Sequence, residues 1–161
     1  MTQRIFVTAA ALGVFFSAGI FSNAASLPDS LAAIRAVGPE GRGNVAASTA
    51  WRSLAAQDAG QLPALLAGMD GANELAMNWL RAAVESIAGR EQAAGRALPL
   101  SALRTFLLDT SHEARARRLA FELIARAEPA TADQLLNDLL DDPGAELRRD
   151  AVPKIIDQAR A

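Results

Sequence analysis

The sequence contains no cysteine, no tyrosine and a single histidine, and its 16 basic residues include only one lysine. The absence of cysteine excludes disulfide bonds, thiolate metal sites, a cysteine nucleophile and a lipid anchor on cysteine. Because the 18 acidic residues leave a net charge of −2, the chain has no overall positive field to attract nucleic acid or anionic lipid.

Residues that favour β-strands are also scarce. Aromatic residues make up 5% of the chain, whereas alanine, leucine, arginine and glutamate are frequent. These four are strong helix formers. Breakers such as Gly38-Pro39, Asp70-Gly71 and Pro129 separate stretches with helical periodicity, and nothing alternates as a strand would. The sequence therefore predicts an all-α fold.

Residues 1–24 are typical of a secretory signal peptide. Arg4 precedes an apolar run over residues 5–21, and the small residues Ser22 and Ala24 follow it. A basic start, an apolar middle and a small-x-small exit are the parts of such a signal. We predict a signal helix that is cleaved after Ala24, and export to the bacterial periplasm or the extracellular side. An uncleaved membrane anchor is the alternative, although the run is shorter than a span of about 20 residues.

The rest of the chain repeats one pattern, in which a short helix, a tight turn and a longer helix follow each other. Four such units are predicted, at residues 28–59, 61–90, 99–129 and 131–160. The stretch GREQAAGRALP, residues 89–99, is predicted to be a long loop between the second and third units. A repeated helix pair cannot bury its apolar face alone, so the units are expected to stack on one another.

Several polar residues stand where helix caps are expected. Thr110 and Glu113 have the spacing of a capping box before the long helix of the third unit. Asp142 directly before Pro143 fits an N-cap followed by proline at the first helical position. Ser101 and Thr131 are predicted to cap the short helices of the last two units.

The long helix of the third unit is amphipathic. Its apolar stripe is predicted to consist of Ala116, Leu119, Ala120, Leu123, Ile124 and Ala127, and its polar side to consist of Arg115, Arg118, Glu122 and Arg126. We expect Leu119, Leu123 and Ile124 to be buried between units.

The last two units resemble HEAT repeats, with an acid in the turn and an Arg three residues before an Ala in the second helix. The matching residues are Asp109, Arg117 and Ala120 in the third unit, and Asp141 or Asp142, Arg148 and Ala151 in the fourth. The resemblance implies a right-handed α-solenoid of about four antiparallel helix pairs over residues 28–161, in which turn acids and helix arginines pair along the stack. As a whole, the chain resembles the N-terminal part of exported bacterial HEAT-repeat proteins of unassigned function.

No residue pattern points to catalysis or to a cofactor. His112 has no second histidine nearby, and its neighbours Ser111 and Glu113 cannot form a relay, which needs groups from separate elements. We interpret His112 as an exposed turn residue near a helix cap. The acids Asp138, Asp141 and Asp142 lack the alternating oxygen ligands of a calcium loop. We therefore predict a protein that is not an enzyme and has no metal or cofactor site.

Arginine offers the one candidate binding surface. Arg115, Arg118, Arg126 and Arg149 could form a basic ridge on the concave side of the stack, facing a partner. The alternative is a face of ion pairs in i, i+4 spacing, which the sequence favours because the acid comes first each time. The candidate pairs are Glu113–Arg117, Glu122–Arg126 and Asp150–Lys154. Trp51 and Trp79 are predicted to pack in the core or between repeats.

The function that fits these features is a non-catalytic exported scaffold or protein-binding module. Its partner would be a protein or peptide on the concave face, or further repeats of the same chain, with no nucleic acid. Membrane contact is expected only through an uncleaved signal segment. The alternative is a helical accessory part of a larger exported enzyme or electron-transfer protein. Because Val152, Ile155 and Ile156 continue an apolar pattern to the end, we expect the array to be incomplete, or else closed by a dimer.

Overall fold

The structure, a computed structural model, describes residues 25–160, apart from the side chains at positions 154, 155 and 157–159. The predicted signal segment, residues 1–24, lies outside the described residues. Over the described range the chain is all-helical, with no strand, as predicted. None of the helices in that range is both long enough and apolar enough to cross a bilayer.

Eight α-helices follow each other along residues 25–160. They are α1 (Leu27–Arg35), α2 (Asn44–Ala55), α3 (Leu62–Ala67), α4 (Glu74–Ala93), α5 (Leu100–Leu108), α6 (Ala114–Ala127), α7 (Pro129–Asp138) and α8 (Ala145–Arg160). Two short 3-10 turns, Pro39–Gly41 and Ala59–Gln61, lie in the connections before α2 and α3. Taken in consecutive pairs, the helices overrun the predicted bounds of the units, since α4 ends at Ala93 and α7 begins at Pro129.

The helices pack within pairs and between neighbouring pairs. Inside the pairs, α1 packs on α2, α3 on α4, α5 on α6 and α7 on α8. Between pairs, α4 contacts α1 and α2, α3 contacts α5 and α6, and α6 contacts α7 and α8. Among the described helices, pairs that are not consecutive in the chain pack on each other far less than consecutive pairs do. Each pair therefore buries its apolar side chains against its own partner helix and the adjacent pair.

The helix α4 is longer than the sequence predicts. The stretch at residues 89–99 was expected to be a loop, but α4 runs to Ala93 and only residues 94–99 connect it to α5. Gly89 is exposed and lies inside the helix, where a glycine lowers helix stability only modestly. The residues that follow it are good helix formers. The helix ends before Gly95, which has a φ of 65° that suits glycine.

The predicted capping box of α6 is wrong. The residue before the helix is Glu113, and neither it nor Thr110 caps the helix with its side chain. Asp70, in the turn of the preceding unit, accepts a hydrogen bond from the Glu113 amide at 2.8 Å. Asp109 accepts bonds from the Ser111 amide at 3.0 Å and the Ser111 hydroxyl at 2.6 Å. An acid from a neighbouring unit therefore replaces the local cap.

The other predicted caps are also wrong. The helix α8 begins at Ala145, and Asp142 instead accepts a hydrogen bond from the Gly144 amide at 2.7 Å. Ser101 lies inside α5, and the Thr131 hydroxyl, inside α7, donates to the Glu128 carboxylate at 2.8 Å. Side chains cap two helices for which no cap was predicted. Ser26 accepts a hydrogen bond from the Asp29 amide, and Asn73 accepts one from the Ala76 amide.

The core runs through all four pairs as one cluster of buried apolar side chains. In α6, Leu119, Leu123 and Ile124 are at most 1% exposed, as the predicted stripe requires. Ala127, assigned to the same stripe, is exposed because it lies in the last turn of the helix. Trp51 and Trp79 are half-buried against the core. The amphipathic pattern therefore locates the interior of this unit except at the end of the helix.

Leu123→Ala should lower the free energy of unfolding by about 2–5 kcal/mol, because it leaves a cavity where a buried leucine packs. Urea denaturation followed by circular dichroism measures the change. Leu75→Ala, at a leucine that is 46% exposed, is the matched control and should cost about 0.5 kcal/mol or less. Equal losses in the two variants would contradict the burial of the stripe.

Candidate functional site

The packing between the second and third helix pairs leaves a seam between α4 and α6. These two helices make little direct backbone contact, because α3 packs against α5 and α6 at this level of the stack. Arg81 of α4 bridges the gap to Glu122 of α6, with 2.6 Å between Nη2 and Oε2. A cleft lies on each side of this bridge. We call the whole region the α4–α6 seam.

The first cleft, here the charged cleft, has a volume of about 280 Å³. Its lining combines two methionines, Met69 and Met77, with polar and ionised side chains. The lining residues are Met69, Met77, Asn78, Arg81, Arg115, Arg118, Glu122 and Glu146. They come from α4, α6 and α8 and from the turn after α3, so three helix pairs contribute to the cleft.

Acids and arginines neutralise each other around the charged cleft. Arg118 lies 3.1 Å from Asp150 and 3.6 Å from both Glu122 and Glu146. Arg115 lies 3.4 Å from Glu74. Most of these side chains are a quarter or more exposed, so each pair contributes little to stability. Their main effect is to hold a fixed pattern of alternating charge across three units.

The predicted basic ridge is divided between different environments. Arg115 and Arg118 line the charged cleft, whereas Arg126 lines the other cleft of the seam. Arg149 is 69% exposed on α8, at 4.0 Å from Asp150. These four arginines therefore do not form one continuous basic surface.

Two of the three predicted i, i+4 pairs do not form as predicted. The Glu122 carboxylate binds Arg81 across the seam and Arg118 four residues earlier in its own helix, while Arg126 donates to the Glu122 main-chain oxygen, at 3.3 Å. Arg117 turns inward, away from Glu113, and Asp150 pairs with Arg118. The side chain of Lys154, the partner predicted for Asp150, lies outside the described residues.

The second cleft of the seam, here the loop cleft, has a volume of about 390 Å³. The connection between α4 and α5 forms one wall, and the last turns of α4 and α6 form the others. The lining residues are Ala88, Gln92, Gly95, Arg96, Ala97, Leu98, Leu100, Leu123, Arg126, Ala127 and Glu128. An apolar floor with a few polar groups at the mouth is the usual composition of a small binding pocket.

A buried carboxylate fixes the wall of the loop cleft. Glu91 is 7% exposed and accepts hydrogen bonds from Arg96 at 2.5 and 3.0 Å, and from Arg90 at 3.1 Å. The Arg96 bonds, with help from Arg90, lower the pKa of Glu91 to about 2 against the opposing effect of burial. Arg90 also donates to the Ala55 carbonyl at 2.6 Å, which ties the end of α2 to α4.

On the turn side of the stack, a buried ion pair joins the third and fourth units. Arg117 is 1% exposed, and its guanidinium binds the Asp142 carboxylate through both terminal nitrogens. Its Nε donates to the Leu107 carbonyl at 2.7 Å. Arg148 donates to the main-chain oxygens of Asp142 and Pro143. The helix arginine of one unit therefore pairs with the turn acid of the next.

Asp109 and His112 take roles that the sequence did not indicate. Hydrogen bonds from Ser111 lower the pKa of Asp109. The Asp109 carboxylate therefore binds within its own turn, and Arg117 pairs with Asp142 instead. His112 was predicted to be an exposed turn residue, but its Nδ1 lies 2.7 Å from Asp70 and its ring stacks on Phe106 at 4.0 Å. It is a contact between the second and third units, which periodicity alone could not reveal.

The geometry gives no support to an acid–base or metal site in residues 25–160. Within that range no three histidine, cysteine or acidic side chains are grouped so that they could hold a metal ion. The two carboxyl groups with shifted pKa values, Glu91 and Asp109, are shifted downward, so they stay ionised and are poor proton donors. The Ser111 hydroxyl bonds Asp109 and not His112. These contacts organise the fold.

Comparisons of the whole chain with protein families, with curated proteins and with solved structures find no match in any of the three. The function therefore has to be argued from the chain itself.

Arg117→Ala should lower the free energy of unfolding by about 3–5 kcal/mol, because it leaves the Asp142 carboxylate buried without its counter-charge. The double variant Arg117→Met/Asp142→Asn removes both charges and should cost clearly less than Arg117→Ala alone. Urea denaturation of the three proteins tests this ordering. A loss below about 1 kcal/mol for Arg117→Ala would mean that the pair does not hold the two units together.

The Glu91 ion pairs predict a specific pH dependence. Because the pKa of Glu91 in the folded protein is about 2, below its ordinary value of 4.5, its contribution is complete above pH 4.5 and disappears as the pH falls toward 2. Glu91→Gln should therefore flatten the loss of stability between pH 4.5 and 2. Glu40→Gln, at an exposed residue, is the control. Parallel stability curves for the wild type and Glu91→Gln would contradict the assignment.

Proposed function

We propose that this chain is an exported, non-catalytic scaffold with a HEAT-like, right-handed stack of helix pairs, and that it binds a protein partner in the α4–α6 seam. Packing that is confined to neighbouring pairs supports the stack, because repeat proteins bury their cores in this way. The Arg117–Asp142 pair between the last two units also supports it, since the HEAT resemblance implies such pairs along the stack.

The single observation that carries the binding proposal is the gap between α4 and α6. The corresponding helices elsewhere pack on each other, α2 on α4 and α6 on α8, whereas the gap between α4 and α6 leaves two clefts, of about 280 and 390 Å³, on either side of one ion pair. Each cleft is lined by both apolar and ionised side chains. That composition suits a partner that inserts a large side chain and aligns its own charges with the rim.

A protein suits the seam better than a nucleic acid does. The arginines of the charged cleft face acids such as Glu74, Glu122 and Asp150, and those acids would repel a phosphate backbone. A protein surface can present both signs of charge in the required pattern. The net charge of −2 gives no general attraction for polyanions either.

Export is the second part of the proposal, and it rests on the sequence of residues 1–24. Mass spectrometry of the protein from its native host should find a mature N-terminus at or near Ala25. The protein should be recovered from the envelope or the medium. Recovery of an intact Met1 in the cytoplasmic fraction would contradict export.

Photo-crosslinking in the native host tests the binding site. A benzoylphenylalanine would replace Asn78 in the charged cleft, Gln92 in the loop cleft or, as a control, the exposed Asn137 on α7. We expect one discrete adduct of the same mass from Asn78 and Gln92, and none from Asn137.

Reversal of the Arg81 charge adds a second test to the same experiment. Arg81→Glu places two acids across the seam and should remove the adducts while leaving the helical content unchanged. Adducts of equal strength at all three positions, or adducts that survive Arg81→Glu, would show that the seam is not the binding site.

A further inference from the structure

The ion pairs around the charged cleft contain more acids than arginines. Arg81, Arg115 and Arg118 each lie 3.6 Å or less from at least one carboxylate. The acids that these three arginines contact are Glu74, Glu85, Glu122, Glu146 and Asp150. Among the described side chains, one further arginine reaches this group, since Arg149 lies 4.0 Å from Asp150. The described part of the network therefore carries an excess of negative charge.

Glu146 is the acid of this cleft that the chain itself binds most weakly. Its side chain lines the cleft at the start of α8 and is 43% exposed. Arg118 lies 3.6 Å away, which is beyond hydrogen-bond distance, and it lies closer to Asp150, at 3.1 Å. Among the described residues, no donor forms a hydrogen bond with the Glu146 carboxylate. An acceptor in the cleft is therefore left for a donor from outside.

The methionines of the charged cleft suit the stem of a long basic side chain. Met69 is 3% exposed, and Met77 is half-buried. Lysine and arginine pack their methylene groups along apolar surface while the charged head stays at its edge, and methionine adapts its shape to such a stem. The cleft volume of about 280 Å³ is below the roughly 300–1,000 Å³ of small-molecule sites, so it suits a single side chain.

The loop cleft offers an apolar contact in place of a second charge. Its ionised groups already have partners in this chain, because Arg96 binds Glu91, Arg126 binds a main-chain oxygen and Glu128 accepts a bond from Thr131. The apolar residues of its lining are Ala88, Ala97, Leu98, Leu100, Leu123 and Ala127. A large apolar side chain that covers this lining removes it from water, which favours binding.

The distance between the clefts suits one segment of a partner. Along α4 the nearest lining residues, Arg81 and Ala88, are 7 residues apart, and the outermost, Met77 and Gln92, are 15 apart. At a rise of about 1.5 Å per residue, the two contacts therefore lie about 10–22 Å apart. An extended chain covers that distance with about 3–7 residues.

We propose that the partner contacts the seam through one continuous segment, which places a lysine or arginine against Glu146 in the charged cleft and a large apolar side chain in the loop cleft. The segment crosses the Arg81–Glu122 bridge between the two contacts. This inference rests on the proposed function, and it adds which side chains the seam selects.

Selection from a displayed library of random peptides tests the inference with probes of known sequence. Peptides of about 12 residues span both clefts, since they reach about 40 Å when extended. The target is the full chain purified from its host, with the N-terminus that it has there. The peptides that bind should share a lysine or arginine and a large apolar residue at a constant separation. They should lose binding to Asn78→Trp and Ala97→Trp, which fill the two clefts at exposed sites without a change of charge.

Reversal of the Glu146 charge tests the contact within each selected peptide. Glu146→Arg should weaken binding by about tenfold, because an attraction at a partly exposed site becomes a repulsion. The milder Glu146→Gln should weaken it less. A peptide whose basic residue is replaced by glutamate should bind Glu146→Arg more tightly than it binds the wild type. Asp141→Arg, at an exposed acid outside the cleft lining, makes the same change in net charge and should leave the affinity unchanged. Fluorescence anisotropy measures the affinities, and circular dichroism checks that the variants fold.

Three results would overturn the inference, and they differ in what they mean for the proposed function. An acid selected over the charged cleft, with binding that Glu146→Arg strengthens, would show that the arginines recruit the partner, and the seam would remain the site. Binding that is lost in the two tryptophan variants but unaffected by Glu146→Arg would leave the seam standing too. Peptides that ignore both tryptophan variants would also count against the seam, which the crosslinks from Asn78 and Gln92 test separately.

Discussion

A pair of amphipathic helices has more apolar surface than it can hide by itself, and the rest of this structure depends on that constraint. The stripe of α6 illustrates it, since Leu119, Leu123 and Ile124 are buried in a helix that packs on α5 and on both adjacent pairs. Each pair is therefore stable only against a neighbour.

Polar side chains fix how the pairs sit on one another. Asp70 reaches His112 and the Glu113 amide of the next unit, and Arg117 reaches Asp142 of the unit after that. Arg90 ties α4 to the end of α2. Apolar packing alone tolerates sliding, whereas directional bonds specify one arrangement. Between α4 and α6, where this direct contact is missing, the ion pair of Arg81 with Glu122 spans the gap and the two clefts lie beside it.

The sequence predicted the helices and their buried faces well, and it predicted the hydrogen bonds and ion pairs of polar side chains poorly. Helix formers and apolar spacing predicted an all-α fold and the buried face of α6, because both depend on residues close together in the chain. The capping box at Thr110, the exposed position of His112 and the pairing of Glu122 with Arg126 were wrong, because residues one unit away took over those bonds. The clefts of the seam were not foreseen, since they result from a change in helix packing that no local pattern records.

The linear order of the four pairs is the central claim of this account, and distances between spin labels test it most directly. The cysteine-free chain allows two double-cysteine variants to be labelled cleanly, one joining Thr49 to Arg115 and the other joining Thr49 to Arg149. Pulsed electron paramagnetic resonance should give a mean distance about 10 Å longer for the second variant, because Arg149 lies one packed helix layer further from α2. Equal distances, or a shorter distance to Arg149, would mean that the fourth pair folds back on the first and would contradict the linear stack.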